Sequence, residues 1–419
     1  MVTLLEGQQS RKVDLVVPGV KMQYDGGMLV IADDVVDITS EGVTSVGGRY
    51  WPTATFDSHI AERLDIPISY LRRLANGRTY PSGKSSRTNP ARLDLFDANV
   101  NGLLHGDGED VPPDERLHYV RLLTPPDEEE LGIAYALKSS KYGRLDNLDA
   151  LDAMIKGIQL AGVDIAGLKI YGDLSETRMF LHVSAPGIVA AAPEFLRGYS
   201  SPFDLHGEGS KRRQPALTME ERIAIGARWR ETHHLDSAIQ PGSEPIICAG
   251  FRITNSEVGM GRWGIEREWT ILVCGNGMTA SAGKFEKTHL GGEQEQGQIE
   301  WSKETREAEL TWVINQTKDV VQASLSQEIL EADVAKVEAK SGKEIDEPEK
   351  VIQVVSQRLS FTEHEQAAVL RHLMLSRQMS SAGVANAVSS VAQTVEDPDR
   401  SNYLSGSAVE ALEMVFAMR

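Results

Sequence analysis

Two cysteines in 419 residues cannot staple a chain of this length. Each ends an apolar, strand-like run (Ile246-Ile247-Cys248 and Leu272-Val273-Cys274), so both are expected as buried thiols in a reducing compartment. Aromatic residues make up only 6%, which leaves Leu, Val, Ile and Ala to build most of the core. No run approaches the roughly eighteen apolar residues that a membrane-spanning helix needs. Met1 to Lys12 holds no apolar stretch of signal-peptide length. These absences lead to the expectation of a soluble, cytoplasmic protein without a membrane partner. Positive charge is also short: 43 Lys and Arg stand against 61 Asp and Glu, for a net charge of −18. Nucleic acid repels such a chain at long range, so any contact with it requires a local cationic surface. The imbalance is uneven. Basic residues outnumber acidic ones between Trp51 and Arg92, and the reverse holds from Glu300 onward.

Familiar catalytic and cofactor motifs are missing as well. Gly259-Met260-Gly261-Arg262-Trp263-Gly264 fits G-x-G-x-x-G, but a dinucleotide loop must open a helix. Here a strand-like run follows, and the segment reads as a glycine-rich hairpin connection. Gly77 to Ser85 ends in Gly83-Lys84-Ser85, yet five residues separate its glycines where a phosphate loop has four. His364-Glu365 and His372 lack the spacing that sets two imidazoles on one metal, and His233-His234 has no paired ligand nearby in sequence. No nucleophile turn of the G-x-S-x-G kind occurs. The expectation is a protein with no catalytic residues, no cofactor and no metal.

What is present is an ordered series of short elements. Val13 to Val17 and Met28 to Ile31 read as strands around the turn Asp25-Gly26-Gly27. Phe56 to Leu64 and Ile68 to Ala75 read as helices broken by Pro67. Leu93, Phe96, Val100, Leu103 and Leu104 form a stripe of helical period. Strands are expected over Leu117 to Leu123, Ile133 to Leu137, Leu168 to Leu174 and Arg178 to Val183, with a helix over Asn147 to Ala161. Residues 185–245 read as irregular. Ile246 to Asn255 and Trp263 to Cys274 read as a long hairpin with Ile265, Arg267, Trp269, Ile271 and Val273 on one face. From Ser302 on the chain reads as helical, with breaks at Gly342 and Pro348 and a capping box at Thr362 and Glu365. The fold class is therefore α+β: an antiparallel sheet core with packed helices, then a mostly helical C-terminal region. Three parts are expected, a β-rich segment over 1–50, an α+β core over 51–299 and helices over 300–419.

The positive residues that remain sit beside aromatic ones. Lys138, Lys141, Tyr142 and Arg144 precede the helix at Asn147. Arg178 opens a strand. Lys211, Arg212 and Arg213 occupy a long loop. Arg262 and Arg267 flank Trp263 and Trp269 on the hairpin. Cations that hold phosphates next to rings that stack on bases are the means by which single-stranded nucleic acid is bound. These twelve residues are the candidate site.

Several segments resemble one family as an ordered set. They are Ile66-Pro67 with Tyr70-Leu71-Arg72-Arg73; Leu95-Phe96-Asp97-Ala98-Asn99-Val100-Asn101-Gly102-Leu103-Leu104; Tyr142-Gly143-Arg144-Leu145-Asp146-Asn147; Asp173-Leu174-Ser175-Glu176-Thr177-Arg178-Met179; Phe251-Arg252-Ile253-Thr254-Asn255-Ser256-Glu257-Val258-Gly259; Asn276-Gly277-Met278; and Gly383-Val384-Ala385-Asn386-Ala387-Val388. Over about residues 50 to 395 the chain resembles the domain of unknown function 932 family, the phage/plasmid-like proteins, in the form carried by phages of actinobacteria. The resemblance implies a phage origin and an infected bacterial cell as the setting. A strand-rich core with a helix between strand pairs is also similar in outline to phage single-strand annealing proteins, which implies a homo-oligomer that binds single-stranded DNA. Two other readings are an acidic factor that engages a host protein, and a component of phage assembly.

Overall fold

The computed structural model describes residues 1–39, 42–76, 78, 92–125, 131–140, 142–143, 145–197, 199, 218–232, 244–272, 276–287 and 303–418. It is an α+β structure, as the order of elements implies. After helix α1 (Val2–Gln9) come strands β1 (Lys12–Pro18), β2 (Met22–Asp25), β3 (Met28–Ile31), β4 (Val36–Thr39), β5 (Gly42–Ser45) and β6 (Gly48–Pro52). Helices α2 (Ala54–Arg63), α3 (Ile68–Leu74) and α4 (Leu93–His105) lead to β7 (Leu117–Leu123) and β8 (Gly132–Ser139). Six of these strands form one sheet in the order β1-β7-β8-β6-β3-β2, antiparallel except where β6 runs parallel to β8. Because β1 pairs with β7 and β6 spans residues 48–52, a boundary at 50/51 runs through one continuous sheet.

Alternation along β1 and β7 gives this sheet two different faces. Leu15, Val17, Val120 and Leu122 pack against Phe56, Ile60, Phe96, Val100 and Leu104 of the helices. Lys12, Asp14, Tyr119 and Arg121 point the other way. Thr53 starts α2 by accepting from the Phe56 amide. Helix α4 also closes the edge of the sheet. Asn101 Oδ1 accepts from the Tyr24 amide and its Nδ2 donates to the Tyr24 carbonyl, both at 2.7 Å. One turn earlier, Asp97 accepts from the Gly27 amide at 3.0 Å, where Gly27 has φ +77°. An amide side chain that satisfies both backbone groups of an edge residue does the work of a neighbouring strand.

The second sheet is an antiparallel meander. Helix α5 (Asn147–Leu160) is followed by β9 (Lys169–Leu174), β10 (Met179–Ala191), helix α6 (Met219–Thr232), β11 (Ile246–Asn255), β12 (Trp263–Ile271) and β13 (Asn276–Lys287), in the sheet order β13-β12-β11-β10-β9. The irregular stretch expected over 185–245 is corrected in two places: β10 continues to Ala191, and residues 219–232 are helical, while 198, 200–217 and 233–243 lie outside the described residues. The glycine segment at 259–264 spans the β11–β12 connection and runs into β12 at Trp263, a strand rather than a helix. Six helices follow: α7 (Lys303–Ser324), α8 (Gln327–Ser341), α9 (Pro348–Arg358), α10 (Glu363–Ser376), α11 (Ser381–Ala392) and α12 (Pro398–Ala417). The capping box at Thr362 and Glu365 starts α10. Met154 and Ile158 of α5 and Val313 and Val321 of α7 cover Leu181, Phe251, Ile253 and Ile265 of the sheet. Gly157 permits that crossing, since a Cβ there would lie 2.5 Å from Thr317. The last five helices enclose a third core around Val388, Leu404 and Leu412, continuous with Ile247 and Trp269 of the sheet.

Cys248 is buried in β11 as a free thiol whose pKa burial pushes up to about 12, while Cys274 lies outside the described residues. Among the described residues no helix is long and apolar enough to cross a membrane.

Candidate nucleic-acid interface

The polar face of the first sheet is not left to water. Asp14 and Arg121 are direct partners across the β1–β7 ladder, and Arg121 Nε and Nη2 each donate to Asp14 at 2.8 Å. The same guanidinium lies 2.8 Å from Asp146, just ahead of α5, and 3.7 Å from Glu257, just after β11. Lys12 binds Glu257 at 2.6 Å, and Gln9 donates to Asp146 at 3.0 Å. Glu257 also accepts from the Asn147 amide, and Asn255 donates to the Leu145 carbonyl and to Asn147. Arg121 is 1% exposed. Burial opposes its charge, yet Asp14 and Asp146 hold its pKa well above the ordinary value. Burial likewise raises Asp146, and Arg121 and Lys12 outweigh it and bring that carboxyl below its ordinary range.

A buried network of this kind adds little net stability, because desolvation consumes most of the attraction. Its effect is positional. It fixes β1 and β7 of one sheet against the α5 N-terminus and the end of β11 in the other. Segments 142–147 and 251–259, more than a hundred residues apart, are thereby brought together.

Above this knot three connections crowd one turn. Gly259 has φ +67°, and a Cβ on it would lie 2.6 Å from Lys138 Cε and 3.0 Å from the Tyr142 ring. Tyr142 Oη donates to the Ser256 carbonyl at 3.0 Å. Ser256 Oγ donates to the Thr177 carbonyl at 2.7 Å and accepts from the Met260 amide at 2.9 Å. Arg178 Nε donates to the Met260 carbonyl at 3.0 Å, and its side chain lies over Gly261. Met260 and Arg262 are exposed at the tip. Lys138 is half-buried; burial lowers its pKa, Glu62 opposes that shift, and Arg63 adds to it. Four of the twelve candidates, Lys138, Tyr142, Arg178 and Arg262, thus surround the Gly259–Gly261 turn.

Among the described candidates, Trp263, Arg267 and Trp269 do not join them. Trp263 is 0% exposed beneath α5 and α7, and Trp269 is 3% exposed in the C-terminal core, so neither ring is open to a base. Period-two alternation places both on the inner face, where the aromatic area is worth most. Arg267 shares that face and pairs with Asp333 of α8 at 3.0 Å. Tyr142 is 8% exposed and tilted against Tyr119 at 5.6 Å between ring centroids, so its ring too is largely closed to a base. Lys141, Arg144, Lys211, Arg212 and Arg213 lie outside the described residues.

Lys12, Asp14, Arg121, Asp146 and Glu257, which hold the arrangement, were not among the candidates. One signal pointed to them: charged residues inside strand-like runs, as in Lys12-Val13-Asp14 and in Arg121 between Val120 and Leu122. Among the described residues no group of three or more His, Cys, Asp or Glu side chains is placed to hold a metal ion. Comparisons with protein-family models, with curated proteins and with solved structures returned no match.

Proposed function

We propose that this chain is a phage- or plasmid-borne protein that binds single-stranded DNA, assembles with copies of itself and promotes annealing. The observation that carries the reading is the approach of Lys138 and Arg178 to the Gly259–Gly261 turn, from two other parts of the chain, with Arg262 exposed beside it. A cationic rim of this kind supplies the local surface that a net charge of −18 otherwise withholds. Glycine at 259 and 261 lets the Lys138 and Arg178 side chains lie directly against the turn, which gathers their charge there. Annealing draws its free energy from base pairing, so it needs no nucleotide hydrolysis. With Trp263 and Trp269 inside the protein, the interface is one of phosphate contacts, and strand binding falls steeply with salt and depends little on base sequence. The test is fluorescence anisotropy of a labelled oligonucleotide at low salt; absence of binding there rejects the reading.

The second reading, an acidic factor that engages a host protein, is favoured by the excess of carboxylates after Glu300 and by the exposed Met374, Leu375 and Phe416 in the same region. Capture of one defined basic partner from host lysate, with no affinity for oligonucleotide, would select it.

A further inference from the structure

Resting on the strand-binding reading, we infer that Ser175, Thr177 and Arg178 form a phosphate subsite of that interface, which Asp399 of α12 fills in the isolated chain. Asp399 Oδ2 accepts from Ser175 Oγ at 2.7 Å and from Thr177 Oγ1 at 2.6 Å. Its Oδ1 lies 3.6 Å from Arg178 Nη1. Two hydroxyls and a guanidinium therefore converge on one anionic group, 224 residues away in sequence from Ser175. The carboxylate oxygens present to these donors what two phosphate oxygens would.

The receptor is built independently of its occupant. Ser175 Oγ accepts from the amides of Thr177 at 3.1 Å and Arg178 at 2.9 Å, which shapes the β9–β10 turn. Arg178 Nε is fixed on the Met260 carbonyl at 3.0 Å, the same contact that ties it to the cationic rim. The occupant, in turn, is not needed as a cap for its helix. Asp397 caps α12 by accepting from the Asp399 amide at 3.0 Å, with Pro398 in the first turn. The site lies at the surface, with the Asp399 side chain 25% exposed and that of Arg178 38%, although Asp399 Oδ1 itself is buried against them. Helix α12 is held alongside by Arg252, which donates to Asn402 at 3.1 Å, so the carboxylate stays close when it is displaced. An intramolecular anion at high effective concentration competes with each arriving phosphate and lowers the apparent affinity by the fraction of molecules in which it is seated. Asp399 thereby restrains strand binding until a phosphate displaces its side chain, while α12 stays packed in its core.

The experiment compares the full-length protein with Asp399→Asn, which keeps an acceptor and loses the charge. Two probes are used, a labelled oligonucleotide and inorganic pyrophosphate. Asp399→Asn is expected to bind the oligonucleotide about tenfold more tightly than the parent, the worth of one displaced charge-assisted contact. It is also expected to acquire pyrophosphate binding that adding Ser175→Ala and Thr177→Val abolishes. Asp399→Ser provides the same comparison if the asparagine variant melts early. No gain for either probe overturns the inference. A parent that binds oligonucleotide with no gain in the variant overturns the inference alone and leaves strand binding standing. A gain for pyrophosphate with no oligonucleotide bound by either protein supports the anion subsite and rejects strand binding.

Discussion

Replacing Arg121 with methionine should destabilise the protein and also reverse the sign of the Asp146 contribution to its pH dependence. The guanidinium is the common partner of Asp14 and Asp146, at 2.8 Å from each, and Glu257 stands 3.7 Å away. Methionine fills much of the volume but leaves the buried Asp146 and Glu257 and the half-buried Asp14 with Lys12 as their remaining cation. Breaking a buried pair from one side costs about 3–5 kcal/mol, and the lower end applies here because Lys12 still binds Glu257. In the parent, burial raises the Asp146 pKa, and Arg121 and Lys12 more than offset it, so the folded value lies below 3.8. A depressed carboxyl contributes stability above its unfolded pKa and loses it as pH falls through the folded value. Without Arg121 the burial effect prevails and the folded pKa rises above the unfolded one. The sign then inverts: the stability is present in acid and is lost as pH climbs through the raised value. Urea titrations of both proteins at pH 5 and pH 8 read this directly. Arg121→Met should be the weaker protein at both values and should lose less relative to the parent at pH 5. An equal deficit at the two pH values would refute the assignment of Arg121 as the group that keeps Asp146 ionised.

Two further perturbations test other parts of the account. His59 is buried and neutral: burial first, then the positive charges of Lys138 and Arg63, bring its pKa to about 3. The unfolded histidine takes up a proton near 6.5, so stability should be full above that value and decline by up to about 1.4 kcal/mol per pH unit as pH falls toward 3. His59→Asn, which keeps an acceptor for the Leu137 amide, should flatten that decline in urea melts between pH 7 and 5; superimposable profiles would contradict it. Asn101→Ala removes both bonds that close the β2 edge and should cost about 1–3 kcal/mol by urea denaturation. The opened edge should also increase aggregation, seen by light scattering.

Local signals made much of the fold legible. The Leu93-to-Leu104 stripe, the Asp25-Gly26-Gly27 turn, the 246–271 hairpin and the Thr362 cap each carry their own chemistry within a few residues. What could not be read was set by contacts distant in sequence. The parallel pairing of β6 with β8 and the Arg121 knot are determined only when the two sheets meet. Helix α6 was missed because its polar residues lack a strong periodic stripe. The tryptophans show why composition misleads. Arg262 and Arg267 beside Trp263 and Trp269 read as a cation–aromatic surface, but strand alternation sends both indoles and Arg267 inward and leaves Arg262 at the tip. The same segments that carry the family resemblance have identifiable structural duties: Asp97 and Asn101 close an edge, Asn255 and Glu257 tie the sheets together, and Asn386 donates to the Phe195 carbonyl.

The most direct test of the central claim is the salt dependence of oligonucleotide affinity in the parent and in Arg178→Ala/Arg262→Ala, followed by fluorescence anisotropy. Each single-strand phosphate contact contributes a slope of about −0.7 in log affinity against log salt. The double variant should therefore bind more weakly at every salt concentration, with a slope shallower by about 1.4. A parent that does not bind at low salt, or two proteins with the same slope, would contradict the claim that these arginines hold the strand.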